Sequence, residues 1–322
     1  MANHLKNLIN IETTGLGNAS AQTGRRLYRK DGKFNIIKKG LGIFERMNWF
    51  HAMIGMPRWK FWVWFCGSFV GLNLIFACIY YYLGIENLGG VEMGSKMENF
   101  AEAFFFSAQT FTTVGYGRIS PVGLEANAIA AFEAFLGFLG FALAGGLFYG
   151  RFFKPKSYLR FSDNALISPF KGKTALMLRT APYKNNHLMD AEVKLTMGMR
   201  EEIDGKEQNV FYNLPVEFDR INALVLEWTI VHPINEESPF FGLTLDELKK
   251  AHAEILVFIK AYDEDFSNSI VDRTSYTANE IIEGARFKPM YHSSASGNTT
   301  ILHIDKLNSF ENVTLPMQIV SG

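Results

Sequence analysis

Two apolar runs constrain this chain more than any other feature. Residues 61–83 are twenty-three consecutive residues without a charge, and residues 128–150 are a second run of equal length interrupted only by Glu133. At about 1.5 Å of rise per residue, a helix of that length crosses a hydrocarbon core of about 30 Å. Both runs therefore read as membrane spans. The chain as a whole is 48% hydrophobic and still 20% charged, so a substantial part of its 322 residues must sit in water.

The charges are unevenly spread although they sum to zero. The first sixty residues carry eleven Lys or Arg against three acids, whereas acids are in excess after Asp163. A basic stretch beside an apolar run points to an anionic membrane surface rather than to nucleic acid. Arg58 and Lys60 precede the first run, Arg151, Lys154, Lys156 and Arg160 follow the second, and the connection between the runs has more acids than bases. By the positive-inside rule both termini are expected in the cytoplasm. Cys66 and Cys78 both lie in the first run with no Cys-x-x-Cys or Cys/His cluster anywhere, so neither a disulfide framework nor a zinc centre is expected. The first long apolar run starts near residue 61, too far along and too long for the core of a signal peptide.

Upstream, Phe44, Met47, Phe50, Met53 and Ile54 recur near helical spacing with polar residues between them and Pro57 behind. This predicts an amphipathic helix over 44–57 lying on the inner leaflet. Residues 1–43 read as a cytoplasmic arm, and the first thirty show no sustained periodicity. After Pro155 the pattern changes to short period-two segments at 175–179, 191–197, 224–231 and 255–262, separated by turn residues. Such spacing predicts an all-β sandwich or barrel over 155–295, followed by a tail over 296–322. One short helix is expected over 244–253, where Thr244 and Glu247 have capping-box spacing.

The connection between the spans holds a helical stretch at 101–111, too short to cross a bilayer, followed at once by Thr112-Thr113-Val114-Gly115-Tyr116-Gly117. Irregular backbone at membrane depth survives only where it lines water or is buried in protein. A half-helix running into Thr-Val-Gly-Tyr-Gly resembles the selectivity filter of potassium channels. Together with Asn48-Trp49-Phe50-His51, Phe153-Lys154-Pro155, 231–239 (VHPINEESP) and 273–281 (RTSYTANEI), it identifies the chain as resembling a prokaryotic inward rectifier potassium channel of the KirBac type.

The resemblance implies an α-helical pore domain over 58–154, with transmembrane helices at 61–83 and 126–152, a re-entrant pore helix at 101–111 and the filter at 112–117. A cytoplasmic immunoglobulin-like β-sandwich completes a homotetramer around one ion path. Potassium ions would be held at Thr113, Val114, Gly115 and Tyr116, with no other cofactor. Many family members pair a Glu before the filter with a base after it; here those positions are Gln109 and Arg118, so that bridge cannot be ionic. Strong rectifiers place an acid in the cavity where this chain has Phe141, so steep polyamine block is not expected. Glu133, costly within a span, is read either as a support beside the pore helix or as a direct attractor of cations. By resemblance Tyr149 is the inner gate, and Arg58, Lys60, Arg151, Lys154, Lys156 and Arg160 form a basic collar for anionic phospholipid. The turn at 266–271 would narrow the cytoplasmic pore, while His232 is read either as a pH switch or as a hydrogen-bonded structural residue.

An enzyme is the rival class, but no His-Glu-x-x-His or Gly-x-Ser-x-Gly motif is present, and Gly172-Lys173-Thr174 lacks the upstream Gly of a phosphate loop. A nucleotide-gated channel would need Gly-x-Gly-x-x-Gly after Pro155, and none follows.

Overall fold

The computed structural model describes residues 26–37, 39–40, 42, 49–154, 156–203 and 205–316. They fall into two compact units, Lys39–Lys154 on one side and Met1–Lys38 with Pro155–Gly322 on the other.

In the first unit, α1 (Trp49–Gly55) is followed by α2 (Arg58–Leu83), β1 (Leu88–Gly89), α3 (Lys96–Phe111), β2 (Ser120–Pro121), which pairs with β1, and α4 (Gly123–Phe152). Of the expected interfacial helix, Phe44 and Met47 lie outside the described residues. Pro57, at φ −52°, ends α1 and caps α2, so the first span gains Arg58, Trp59 and Lys60 relative to its apolar stretch. α2 and α4 are long and apolar enough to cross a membrane. α3 begins at Lys96, five residues before the expected start. Ser95 and Glu98 close a capping box there, with Glu98 accepting from the Ser95 amide at 2.7 Å.

Arg151, in the last turn of α4, donates to the Met53 and Met56 carbonyls at 2.6 and 2.8 Å and lies 4.5 Å from the Phe61 ring centre. It thus occupies carbonyls that α1 leaves open at its C-terminal end. The side chains of Phe76, Ala77, Tyr80, Ala103, Phe106 and Ala130 form the shared core of α2, α3 and α4.

The second unit is a sandwich of two five-stranded sheets. Strands β6 (Leu188–Ile203), β7 (Lys206–Leu214), β8 (Arg220–Leu224), β10 (Glu254–Asp263) and β11 (Asn268–Thr277) make one; β3 (Leu159–Phe161), β4 (Ala165–Phe170), β5 (Lys173–Pro182), β9 (Trp228–Ile234) and β12 (Ile281–Glu283) make the other. Alternate residues such as Leu176, Leu178, Val193, Leu195, Ile230, Val257 and Ile259 fill the single core between them. A helix, α5 (Leu245–Lys250), opens on the Thr244–Glu247 capping box.

Three expectations are corrected here. The segment 224–231 is two strands, because the chain bends at Val225 and Leu226 and passes from β6 in one sheet to β5 in the other. The turn expected over 266–271 is confined to 264–267: Asp263 pairs with Asn268, Ser267 takes φ +48°, and Asn268 onward joins β11. Residues 296–316, within the expected tail, are tied to the sandwich unit, since β14 (Tyr291–Ser293) pairs β15 (Thr300–Leu302), β13 (Ala285–Phe287) pairs β16 (Phe310–Asn312), and Leu307 is buried against Ala181 and Met290.

Part of the amino-terminal arm is likewise docked. Glu254, nearly fully buried, accepts from the Leu27 and Tyr28 amides at 2.7 and 3.2 Å, and Arg26 pairs with Glu280 at 2.6 Å. An aperiodic segment gave no sign of this, because its partners are backbone amides that every residue carries.

Candidate functional site

The site begins at the C-terminus of α3, where four carbonyls lack helical partners. The Gln109 carbonyl accepts from the Val114 amide at 3.0 Å, and the Thr110 carbonyl from the Thr113 amide at 3.0 Å. The Thr112 hydroxyl donates to the Ala108 carbonyl at 2.7 Å. The loop is thereby folded back under the negative end of the helix dipole, a position that favours a cation.

Beyond Thr112 the backbone alternates in hand. Thr113, Gly115 and Gly117 have φ of +59°, +53° and +81°, while Val114 and Tyr116 between them do not enter the positive region. Alternation of this kind turns successive carbonyls toward one side of an extended ribbon. Glycine adopts positive φ without cost; Thr113, β-branched, does so under strain that its helix-end hydrogen bond holds in place. In one chain residues 112–118 are all exposed, Tyr116 at 79%.

Gln109 contributes its backbone carbonyl to the loop. Arg118 pairs instead with Glu102 on α3, a partner sequence reasoning missed. The signal available was scarcity: Lys96 and Arg118 are the only bases between residues 84 and 127.

Behind the loop lies a buried polar cluster. The Tyr80 hydroxyl donates to Glu133 at 2.7 Å, while the Ser107 hydroxyl is shared between the other Glu133 oxygen and Asn73 Oδ1, the latter at 3.0 Å. All four residues are buried, so the carboxylate faces α2 and α3. Asn73 and Ser107 were not anticipated, although an amide within an uncharged span is itself a sign of an internal partner. One turn along α4, Gly137 meets the loop helix so closely that an added Cβ would stand 1.9 Å from the Phe111 carbonyl oxygen.

Phe141 is 81% exposed, and Tyr149, at 64%, stacks on Phe153 with ring centres 4.2 Å apart. Of the six bases, Arg151 is turned into the first unit as described. Arg58, Lys60 and Lys154 stay exposed in that unit, and Lys156 and Arg160 in the other, where Arg160 lies over the Tyr183 ring. His232 is buried, with Nδ1 2.6 Å from the Pro215 carbonyl and Nε2 2.8 Å from the Ser238 hydroxyl. A ring that donates from one nitrogen and accepts on the other is neutral, and burial holds its pKa below the usual histidine value.

Two apolar helices flanking a re-entrant half-helix and its carbonyl ribbon, joined to a β-sandwich, define a membrane ion channel. Residues 159–321 match the family described as inward rectifier potassium channel C-terminal domain, and residues 68–153 match an ion channel family. The inward rectifier potassium channel Kirbac3.1 of Paramagnetospirillum magnetotacticum is 33% identical over 284 residues, covering 86% of this chain and 92% of its own length. Two human proteins, inward rectifier potassium channel 18 and ATP-sensitive inward rectifier potassium channel 12, are each 27% identical over 86% of this chain and 70% of theirs. The chain belongs to the inward rectifier potassium channel family, in its prokaryotic KirBac type. It is a potassium-selective inward rectifier channel of the membrane, with two spans and a β-sandwich domain.

Proposed function

We propose that four copies of the chain surround one ion path, each contributing the ribbon from Thr113 to Tyr116 to a ring of carbonyls that replaces the hydration shell of potassium. The alternating hand of residues 113–117, held at the negative end of α3, is the observation that carries this reading. Because the oxygens are backbone groups, coordination needs no other cofactor and no catalytic step, and ions pass down their own gradient. The uncovered filter and the exposed apolar faces of α2 and α4, including Phe132, Phe135 and Phe138, are surfaces that neighbouring copies and lipid would cover.

Gln109, Arg118 and Glu133 act as supports: the first through its carbonyl, the second through Glu102, the third by joining α2, α3 and α4. The buried position of the carboxylate favours this over direct attraction of cations. Four copies of Tyr149 near the end of α4 form the inner gate, closing by contact or dewetting, and Phe141 gives the cavity wall no charge. Both termini lie in the cytoplasm, in a bacterial inner membrane. The exposed bases Arg58, Lys60, Lys154, Lys156 and Arg160 draw anionic phospholipid, each base contributing about 1 kcal/mol.

Radioactive rubidium uptake into liposomes tests the reading, with sodium competition, barium block and graded anionic lipid. Barium-sensitive uptake suppressed by potassium and not by sodium is expected, rising in Tyr149→Ala. Silence of Tyr149→Ala across all lipids would overturn the assignment of filter and gate together.

A further inference from the structure

Near the carboxyl end of the sandwich unit, β14 and β15 form a hairpin whose register pairs Tyr291 with Leu302 and His292 with Ile301. Beyond the last pair the His303 amide donates to the Met290 carbonyl at 2.7 Å, so the antiparallel register continues for one more residue. Residues directly opposite share a face, as do residues two apart on one strand. His292 and His303 are thus a diagonal pair on one face, and their side chains meet. His303 Nε2 is 3.2 Å from His292 Nδ1, with the rings 17° from parallel and their centres 4.9 Å apart.

That separation matches the edge of a metal coordination shell. Two imidazole nitrogens bound at about 2.0–2.1 Å to one tetrahedral zinc ion stand about 3.3 Å apart. Asp305 supplies the outer contact: its carboxylate lies 3.7 Å from His303 Nδ1. A carboxylate there favours the proton on Nδ1 and leaves the Nε2 lone pair turned toward His292, the arrangement that raises the basicity of metal-bound histidines. Among the described residues no group of three His, Cys, Asp or Glu side chains converges on a metal position, so water would fill the rest of the shell.

We propose that His292 and His303 form a binding site for a divalent transition-metal ion of the zinc or nickel class, with Asp305 orienting His303. On binding, the proton that His292 Nδ1 shares with His303 Nε2 moves through solvent to His292 Nε2, so that both rings stay neutral; two nitrogen–metal bonds replace two metal–water bonds, and no electron is transferred. The ion would bridge β14 to the segment after β15 and so fasten the hairpin to the Met290 and Leu307 contacts beneath it.

Isothermal titration of the full-length, chelator-treated channel in detergent with zinc chloride, then with nickel chloride, tests this. One saturable site per chain is expected, weakened at least tenfold in His292→Asn and in His303→Asn, and several-fold in Asp305→Asn. His187→Asn serves as control, since that exposed histidine has its own carboxylate partner, Asp265 at 3.2 Å, and its removal should leave the site unchanged. Circular dichroism of each variant checks that the fold is kept, and a poorly folded Asn variant is replaced by His303→Gln. Absence of saturable binding, or binding that the His292 and His303 variants leave unaltered, would overturn the proposal.

Discussion

The Tyr80 hydroxyl and the Glu133 carboxylate meet at 2.7 Å although fifty-three residues separate them. With Ser107 they tie the two spans to the helix that carries the pore loop. Leaving a buried polar group without its partner costs about 1–3 kcal/mol. Glu133→Leu strands the Tyr80 hydroxyl and leaves Ser107 with Asn73 alone, and should therefore destabilise the assembled channel by about 1–3 kcal/mol on the same scale. Glu133→Gln, which keeps one acceptor oxygen, should cost less. Thermal dissociation of the detergent-solubilised protein on gels ranks the two, and equal losses would remove the cluster from its supporting role.

Gly137 offers a test by addition of one carbon. Gly137→Ala places a methyl group against the Phe111 carbonyl at a distance that forces α4 or the pore helix to move. Overpacking of this sort costs about 1–3 kcal/mol. Rubidium flux should fall sharply, whereas Gly145→Ala, with open space around its added carbon, should retain it.

His232 predicts a direction with pH. Burial holds its pKa below the ordinary 6.5, so the folded state keeps the ring neutral. Its contribution to stability is complete above pH of about 6.5 and is lost as pH falls through that value toward the folded pKa. Hydrogen exchange at β9 in the full-length chain, compared between wild type and His232→Gln, isolates this one group. The wild type should lose protection on going from about pH 7.5 to 5.5, and the variant should lose less.

Glu254 anchors the amino-terminal segment through backbone amides, and its carboxyl is pushed above the usual range by desolvation. Glu254→Ala removes both acceptors. Trypsin should then cut after Arg29, Lys30 or Lys33 several times faster than in the wild type, and Glu254→Gln should fall between them. Unchanged cleavage in Glu254→Ala would show that Arg26 and Glu280 suffice.

Arg118 and Glu102 form an ion pair whose arginine side chain is 52% exposed. Exposed pairs contribute about 0–1 kcal/mol. Glu102→Gln should therefore leave stability almost intact, and any change in the rubidium-to-sodium flux ratio would mark the pair as a positioning contact for the loop after the filter.

What the sequence determined by itself lies in patterns that are local or contiguous. Twenty-three residues without a charge are a span wherever they pack, because the bilayer fixes the length required. The run from Thr112 to Gly117 places the candidate filter residues side by side in the chain. Period-two alternation shows which side of each strand faces the core, and that sufficed for a sandwich or barrel, while the family was legible in the filter and in the contiguous runs at 231–239 and 273–281. The capping spacing at Thr244 and Glu247 was equally legible, since both partners lie within one helical turn.

Tertiary structure alone decided what depends on distant groups meeting. Arg118 finds Glu102 only because α3 turns that face toward the returning loop, and Ser107 finds Glu133 across twenty-six residues. The bend at Val225 that sends β8 and β9 to different sheets leaves no mark in hydropathy, because both strands supply the same core. Residues 296–316, read as part of a tail, are held by ladder partners and by one buried leucine, Leu307. Long-range pairing is set by which surfaces the packed elements leave adjacent, and no single window of sequence contains both sides of such a contact.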